Sequence, residues 1–319
     1  MTDPVRLSRK IRDALAPCSL GRWPTPLEPV PPLAAALGLA ALWLKREDRS
    51  ATPGGGVKVR GLEFLLADAP PDTVFVTIGG IGSTHCLATA VHARALGRRS
   101  ALAQFPQPET AVTRAVAAAT AGAADVVVRA RSLLTFPLAL LAAGVAARRR
   151  GRPHWIPGGG AHPRAVVGHF LAGLELAAQL ETPPEAIVLP LGVGGTAAGL
   201  LLAVVALGWP TTVVAVRVAP SVVANGWRVR ALAQSAAVLL QPLGGGVALP
   251  AARARLHIVN AMGRGYGHPT PTGEAARQLA ATHGVALDPT YGAKALGAVA
   301  PLAAGGFRRI VFWHTFAAL

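Results

Sequence analysis

The chain has 319 residues, 52% of them hydrophobic and only 14% charged, which excludes a disordered polymer and leaves room for two domains or one large α/β domain. The formal net charge of +16 comes almost wholly from arginine, but the basic residues are scattered and aromatics make up 5%, so no nucleic-acid-binding signature is present. Cys18 and Cys86 give neither a metal spacing nor a disulfide framework, and the charged N-terminus lacks the apolar core of a signal peptide; a reduced, cytoplasmic setting is expected.

In chain order, short β-rich runs alternate with helix-like runs. "ALWLK" (41–45) reads as a strand, "RGLEFLLADA" (60–69) as a helix and "TVFVTI" (73–78) as a strand that ends at Gly79-Gly80. A helix follows over 84–97, stopped by Gly97. Strands at 100–105 and 125–130 flank a helix at 109–121. The helix at 137–151 ends in arginines that suit its C-terminal dipole. "HWIPGGG" (154–160) is a strand running into a loop. "AIVLPLG" and "TVVAVRVA" are strands on either side of a helix at 196–208. Thr270 and Pro271 open a further helix that Gly284 closes, and 308–315 is a last strand. This rhythm predicts parallel sheets covered by helices on both faces. Residues 187–216 carry no charge, yet Pro190, Gly192, Gly194, Gly195 and Pro210 break the stretch into pieces too short to span a membrane.

Two places carry chemistry. Lys58 is one of only four lysines, and it stands where three glycines (Gly54 to Gly56) run into a helix. A lysine amine with a lowered pKa forms a Schiff base, which a guanidinium cannot do. In "LPLGVGGTAAGLLL", Gly192, Gly194 and Gly195 lie between a buried strand and a helix, where free amides and the helix dipole favour an anion and Thr196 adds a hydroxyl. No ribose-binding carboxylate follows about 20 residues on, and no Walker lysine is present, so the loop suits one phosphate better than a dinucleotide. A reactive lysine plus a phosphate cup is what pyridoxal phosphate needs.

These segments resemble the pyridoxal-phosphate enzymes of fold type II, specifically the D-cysteine desulfhydrase/1-aminocyclopropane-1-carboxylate (ACC) deaminase family. "WLKREDRSATPGGGVKVRGLEFLLADA", "TIGGIGSTHCLATAVHARALG", "WIPGGGAHPRAVVGHFLAGLEL", "PLGVGGTAAGL", "GRGYGHPT" and "LDPTYGAKALGAV" match that family in order, over nearly the whole chain. The resemblance implies two three-layer α/β domains, similar to tryptophan synthase β, with mostly parallel sheets and the cofactor between them. The larger would comprise 1–58 plus 168–319, and the smaller, mobile one 59–167. Lys58 would hold the cofactor aldehyde as an imine. Ser83 would sit above the cofactor and move the substrate proton. Thr84 would stand for an asparagine that bonds the 3′ oxygen, and His85 would touch the substrate carboxylate region. Gly192, Val193, Gly194, Gly195 and Thr196 would bind the phosphate. Tyr266 and Tyr291, the only two tyrosines, match two active-site tyrosines, and Thr315 would face the pyridine nitrogen. Departures are Val57 for an asparagine, Gly61 for a second lysine and "HTFAAL" for an "HTGG" ending.

ACC deaminase-like members carry an acid just after the second tyrosine, where this chain has Gly292. Thr315 instead fits the desulfhydrase pattern. The expectation is therefore α,β-elimination from a small amino acid, D-cysteine-like, giving pyruvate, ammonia and sulfide. ACC deamination, β-replacement, racemisation and a non-catalytic relic are the alternatives. A small amino-acid substrate and a homodimer are expected, with neither nucleic acid nor membrane as partner.

Overall fold

The computed structural model describes residues 3–245 and 255–316. It opens with helix α1 (Pro4–Leu15), strand β1 (Leu27–Pro29), helix α2 (Pro31–Ala36) and strand β2 (Ala41–Arg46), and then reaches α3 (Lys58–Leu65). The next stretch alternates β3 (Thr73–Gly80), α4 (Thr84–Ala95), β4 (Arg99–Phe105), α5 (Ala111–Ala123), β5 (Val126–Arg129), α6 (Phe136–Arg148) and β6 (Arg152–Trp155). It continues with α7 (Pro163–Gln179), β7 (Ala186–Leu191), α8 (Gly195–Ala206), β8 (Thr212–Arg217), α9 (Gly226–Leu240) and β9 (Leu256–Asn260). The last elements are α10 (Pro271–Thr282), α11 (Gly292–Leu296), α12 (Val299–Ala304) and β10 (Arg309–His314). Among the described residues, no helix is long and apolar enough to cross a membrane.

Two sheets result. One has six strands in the order β1-β2-β10-β7-β8-β9, parallel except for β1, and the other has four parallel strands in the order β5-β4-β3-β6. Strand alternation divides the core of the larger sheet into two layers. Ile187, Leu189 and Leu191 pack with α7, α8 and α9, whereas Ala186 and Val188 face the layer formed with α2, α10, α11 and α12. Every residue of β7 is buried, which is why its sequence is a continuous apolar run rather than an alternating one. In the smaller sheet Phe75 joins Ala88 and Ala93 of α4, and Val74 and Val76 turn to Ala147 of α6.

Helix α3 begins at Lys58 itself rather than at Arg60. The Val57 N–H is taken by the Thr315 carbonyl at 2.9 Å, so the end of β10 fixes the point where the helix starts. Ser50 adds a second clamp. Its hydroxyl accepts from Gly56 N–H at 2.9 Å and donates to Gly56 O at 3.0 Å. Helix α3 then crosses α7 at very short range: a β-carbon on Gly168 would lie 2.0 Å from Arg60 O, and one on Gly61 would lie 2.9 Å from Ala165 Cβ.

Candidate active site

A cleft opens at the C-terminal ends of the strands of the larger sheet, where open parallel sheets place their ligands. Its lining brings together Lys58, Thr84, Gly192, Val193, Gly194, Gly195, Thr196, Tyr291 and Thr315, residues drawn from five separate segments of the sequence.

Lys58 differs from the two other lysines that the fold encloses. Lys45 pairs with Glu175, and Lys294 donates to Met262 O at 2.9 Å. Lys58 Nζ donates only to the Gly159 carbonyl, at 2.9 Å, and no acid faces it among the described residues. Burial without a counter-charge brings the amine down to about 8. A neutral amine is the nucleophilic form, so a lowered pKa suits this lysine to imine chemistry.

The opposite wall is the turn between β7 and α8. Gly194 is the N-cap, with a left-handed φ of +96° and no side chain to cap the helix, so the first amides of α8 remain free for an anion. A β-carbon on Gly192 would meet nothing within 4 Å, which leaves open space in front of the turn. An uncapped helix N-terminus in the same cleft as a half-buried amine with no acid partner fits a ligand with a phosphate at one end and an aldehyde at the other.

The turn between β3 and α4 is built differently. Ser83 is the N-cap of α4, and its Oγ accepts the Cys86 N–H at 3.3 Å. Thr84, the next residue, lines the cleft; Ser83 does not. His85 also lies behind the wall. Its Nε2 pairs with Thr77 Oγ1 at 3.0 Å, and burial, reinforced by the Lys58 charge, pushes it down to about 3, which keeps the ring neutral.

Tyr291 is on the cleft wall, and its hydroxyl is hydrogen-bonded to that of Tyr266 behind it. Burial raises Tyr266 to about 12 and moves Tyr291 well above the ordinary phenol range, so both stay protonated. Several supporting residues escaped the sequence reading. Asp288 accepts the N–H groups of Thr290, Tyr291 and Gly292 at 2.9, 2.7 and 2.9 Å and so shapes the turn that carries Tyr291. Its place just ahead of "PTYG" was a usable turn signal. Lys294 Nζ ties that helix to the 262–265 loop leading to Tyr266. His169 of α7 is buried close to the first turn of α8, with its Cδ2 4.0 Å from where a β-carbon on Gly195 would stand. The "FAAL" end of the altered motif is described only at Phe316, and residues 317–319 lie outside the described residues.

The fold is that of the pyridoxal-phosphate enzymes of fold type II, with Lys58 and the glycine turn before α8 lining one cleft. The chain belongs to the family described as pyridoxal-phosphate dependent enzyme, which matches residues 18–315. It is 36% identical over 301 residues to nocardicin C-9′ epimerase from Nocardia uniformis subsp. tsuyamanensis, covering 92% of this chain and 90% of that one. It is 35% identical over 286 residues to D-cysteine desulfhydrase from Salmonella paratyphi B, covering 86% of this chain and 84% of that one. A crystal structure of an ACC deaminase homologue superposes with a TM-score of 0.82 at 28% identity, over 96% of this chain and 94% of the other.

Proposed function

We propose that the chain catalyses α,β-elimination from a small β-substituted amino acid of the D-cysteine type, releasing pyruvate, ammonia and sulfide. The observation that carries this reading is the composition of the cleft wall, where the polar side chains are Lys58, Thr84, Thr196, Tyr291 and Thr315 and no carboxylate is present among the described residues. The site after Tyr291 has no room for one either. A β-carbon on Gly292 would lie 3.2 Å from Asp288 Oδ2 and 3.2 Å from Leu287 Cδ2, so an acid there would be forced against a buried carboxyl group.

Bound pyridoxal phosphate supplies the electron sink that lets the α-proton leave, and without an acid at its ring nitrogen it suits substrates whose β leaving group carries charge away. The free amides of α8, with Thr196, hold the phosphate. The N-terminus of α4, which reaches the cleft at Thr84, holds the substrate carboxylate. Lys58 Nζ takes the α-proton. The protonated Tyr291 hydroxyl, backed by Tyr266, gives a proton to the departing sulfur. The smaller unit, 59–167, carries α4 and closes over the substrate to exclude water.

A second reading, epimerisation, is favoured by the 36% identity to nocardicin C-9′ epimerase. It begins with the same proton at Lys58 and ends with a proton returned to the opposite face of the α-carbon. Incubating the cofactor-loaded protein with D-cysteine or β-chloro-D-alanine in D₂O tests both. Pyruvate, with sulfide from D-cysteine or chloride from its analogue, is the expected result. Recovered amino acid of inverted configuration, deuterated at the α-carbon and with no pyruvate formed, would replace elimination with epimerisation.

A further inference from the structure

The cup is gripped from outside by a residue that does not line the cleft. Arg228 lies in the first turn of α9. Asn225 starts that helix: its Oδ1 accepts Arg228 N–H at 2.8 Å, and its Nδ2 donates to Ser221 O at 2.8 Å. Arg217, at the end of β8, donates from Nε to Ala224 O at 2.8 Å. The first turn of α9 is thus tied to the sheet. From this fixed base Arg228 Nε donates to Val193 O at 3.1 Å. The next residue, Val229, packs against the same turn, because a β-carbon on Gly194 would lie 3.3 Å from Val229 Cγ2.

In a planar trans peptide, the C=O of one residue and the N–H of the next point in opposite directions. A Val193 carbonyl drawn towards Arg228 therefore turns the Gly194 N–H to the other side of the peptide. Val193 and Gly194 both line the cleft, and the left-handed backbone of Gly194 allows this orientation.

We propose that Arg228 is a positioning residue for the cofactor phosphate: by holding the Val193 carbonyl outward, it presents the Gly194 N–H to the anion. The proposal rests on the cofactor and is independent of the choice between elimination and epimerisation. A neutral donor at position 228 does the same work, because the hydrogen bond rather than the charge fixes the peptide.

The test compares pyridoxal phosphate with pyridoxal, which has the aldehyde but no phosphate. Dissociation constants come from absorbance titration of the apoprotein, and the ³¹P resonance of the bound cofactor is recorded, for the wild type, Arg228→Ala, Arg228→Gln and Arg228→Lys. Arg228→Ala weakens pyridoxal phosphate about tenfold, as expected for one hydrogen bond of this kind. It leaves pyridoxal unchanged and moves the ³¹P resonance, and Arg228→Gln recovers most of the affinity. Equal losses for the two ligands would reduce Arg228 to a structural role and overturn the proposal, as would unchanged phosphate binding in Arg228→Ala. Rescue by Arg228→Lys but not Arg228→Gln would assign the effect to charge and also overturn it. A wild type that binds neither ligand would remove the cofactor assignment and the proposal with it.

Discussion

Two parallel strands end in glycine turns that open onto helices, β7 into α8 and β3 into α4, and the two turns treat the exposed amides of those helices in opposite ways. At α4 the chain caps itself through Ser83 Oγ on Cys86 N–H. At α8 the N-cap is Gly194, with no side chain to offer. The first helix start has one of its amides satisfied by its own side chain, while at the second no side chain takes that place. Similar sequence patterns, "TIGGIGSTH" and "LPLGVGGTA", thus build a side-chain-capped turn and an uncapped one. The difference lies in one hydroxyl at the N-cap.

Substitutions can break this contrast at several strengths. The largest effect is expected from Lys58→Ala, which removes the one amine lining the cleft among the described residues. The protein should lose its visible Schiff-base band with pyridoxal phosphate, and turnover should fall by about a thousandfold or more. The pH dependence of cofactor capture comes next. With the Lys58 amine lowered to about 8, only its neutral form attacks, and that fraction falls as pH drops below this value. The capture rate of the apoprotein should therefore climb about tenfold per pH unit from pH 6, some hundredfold in all, and level off above pH 8. A flat profile across that range, read by stopped-flow absorbance, would mean that the lysine is not desolvated as described.

Gly194→Ala attacks the cup directly. The new methyl is placed in a left-handed residue and against Val229, and a penalty of about 1–2 kcal/mol should weaken cofactor binding about tenfold. Ser83→Ala should do the reverse. It should lower stability by about 1 kcal/mol in a denaturant titration through loss of the cap, with the dissociation constant of pyridoxal phosphate unchanged. If Ser83→Ala weakened the cofactor as much as Gly194→Ala, the two turns would not be functionally distinct.

Much of this was legible in the sequence because it is local. The apolar run at 186–191, the glycines after it and the lysine at the end of Gly54 to Gly56 each announce themselves within a few residues. What lay hidden depends on partners far apart in the chain. The carbonyl that receives Lys58 Nζ is on Gly159, the hydroxyl behind Tyr291 belongs to Tyr266, and the arginine that holds Val193 is 35 residues beyond it. The start of α3 was misplaced by two residues for the same reason, since Thr315 at the far end of the chain anchors it. The placement of His85 had no sequence signal at all. A histidine at the head of a helix reads the same whether it faces a substrate or pairs with a threonine on the neighbouring strand.

The close crossing of α3 and α7 also limits how this sequence can change. A side chain introduced at residue 61 meets Ala165 before it meets anything else, and the backbone of Arg60 already rests on Gly168. A lysine at position 61 therefore requires α7 to yield, either by trimming Ala165 or by shifting the helix outward. The crossing acts as a steric lock on that position.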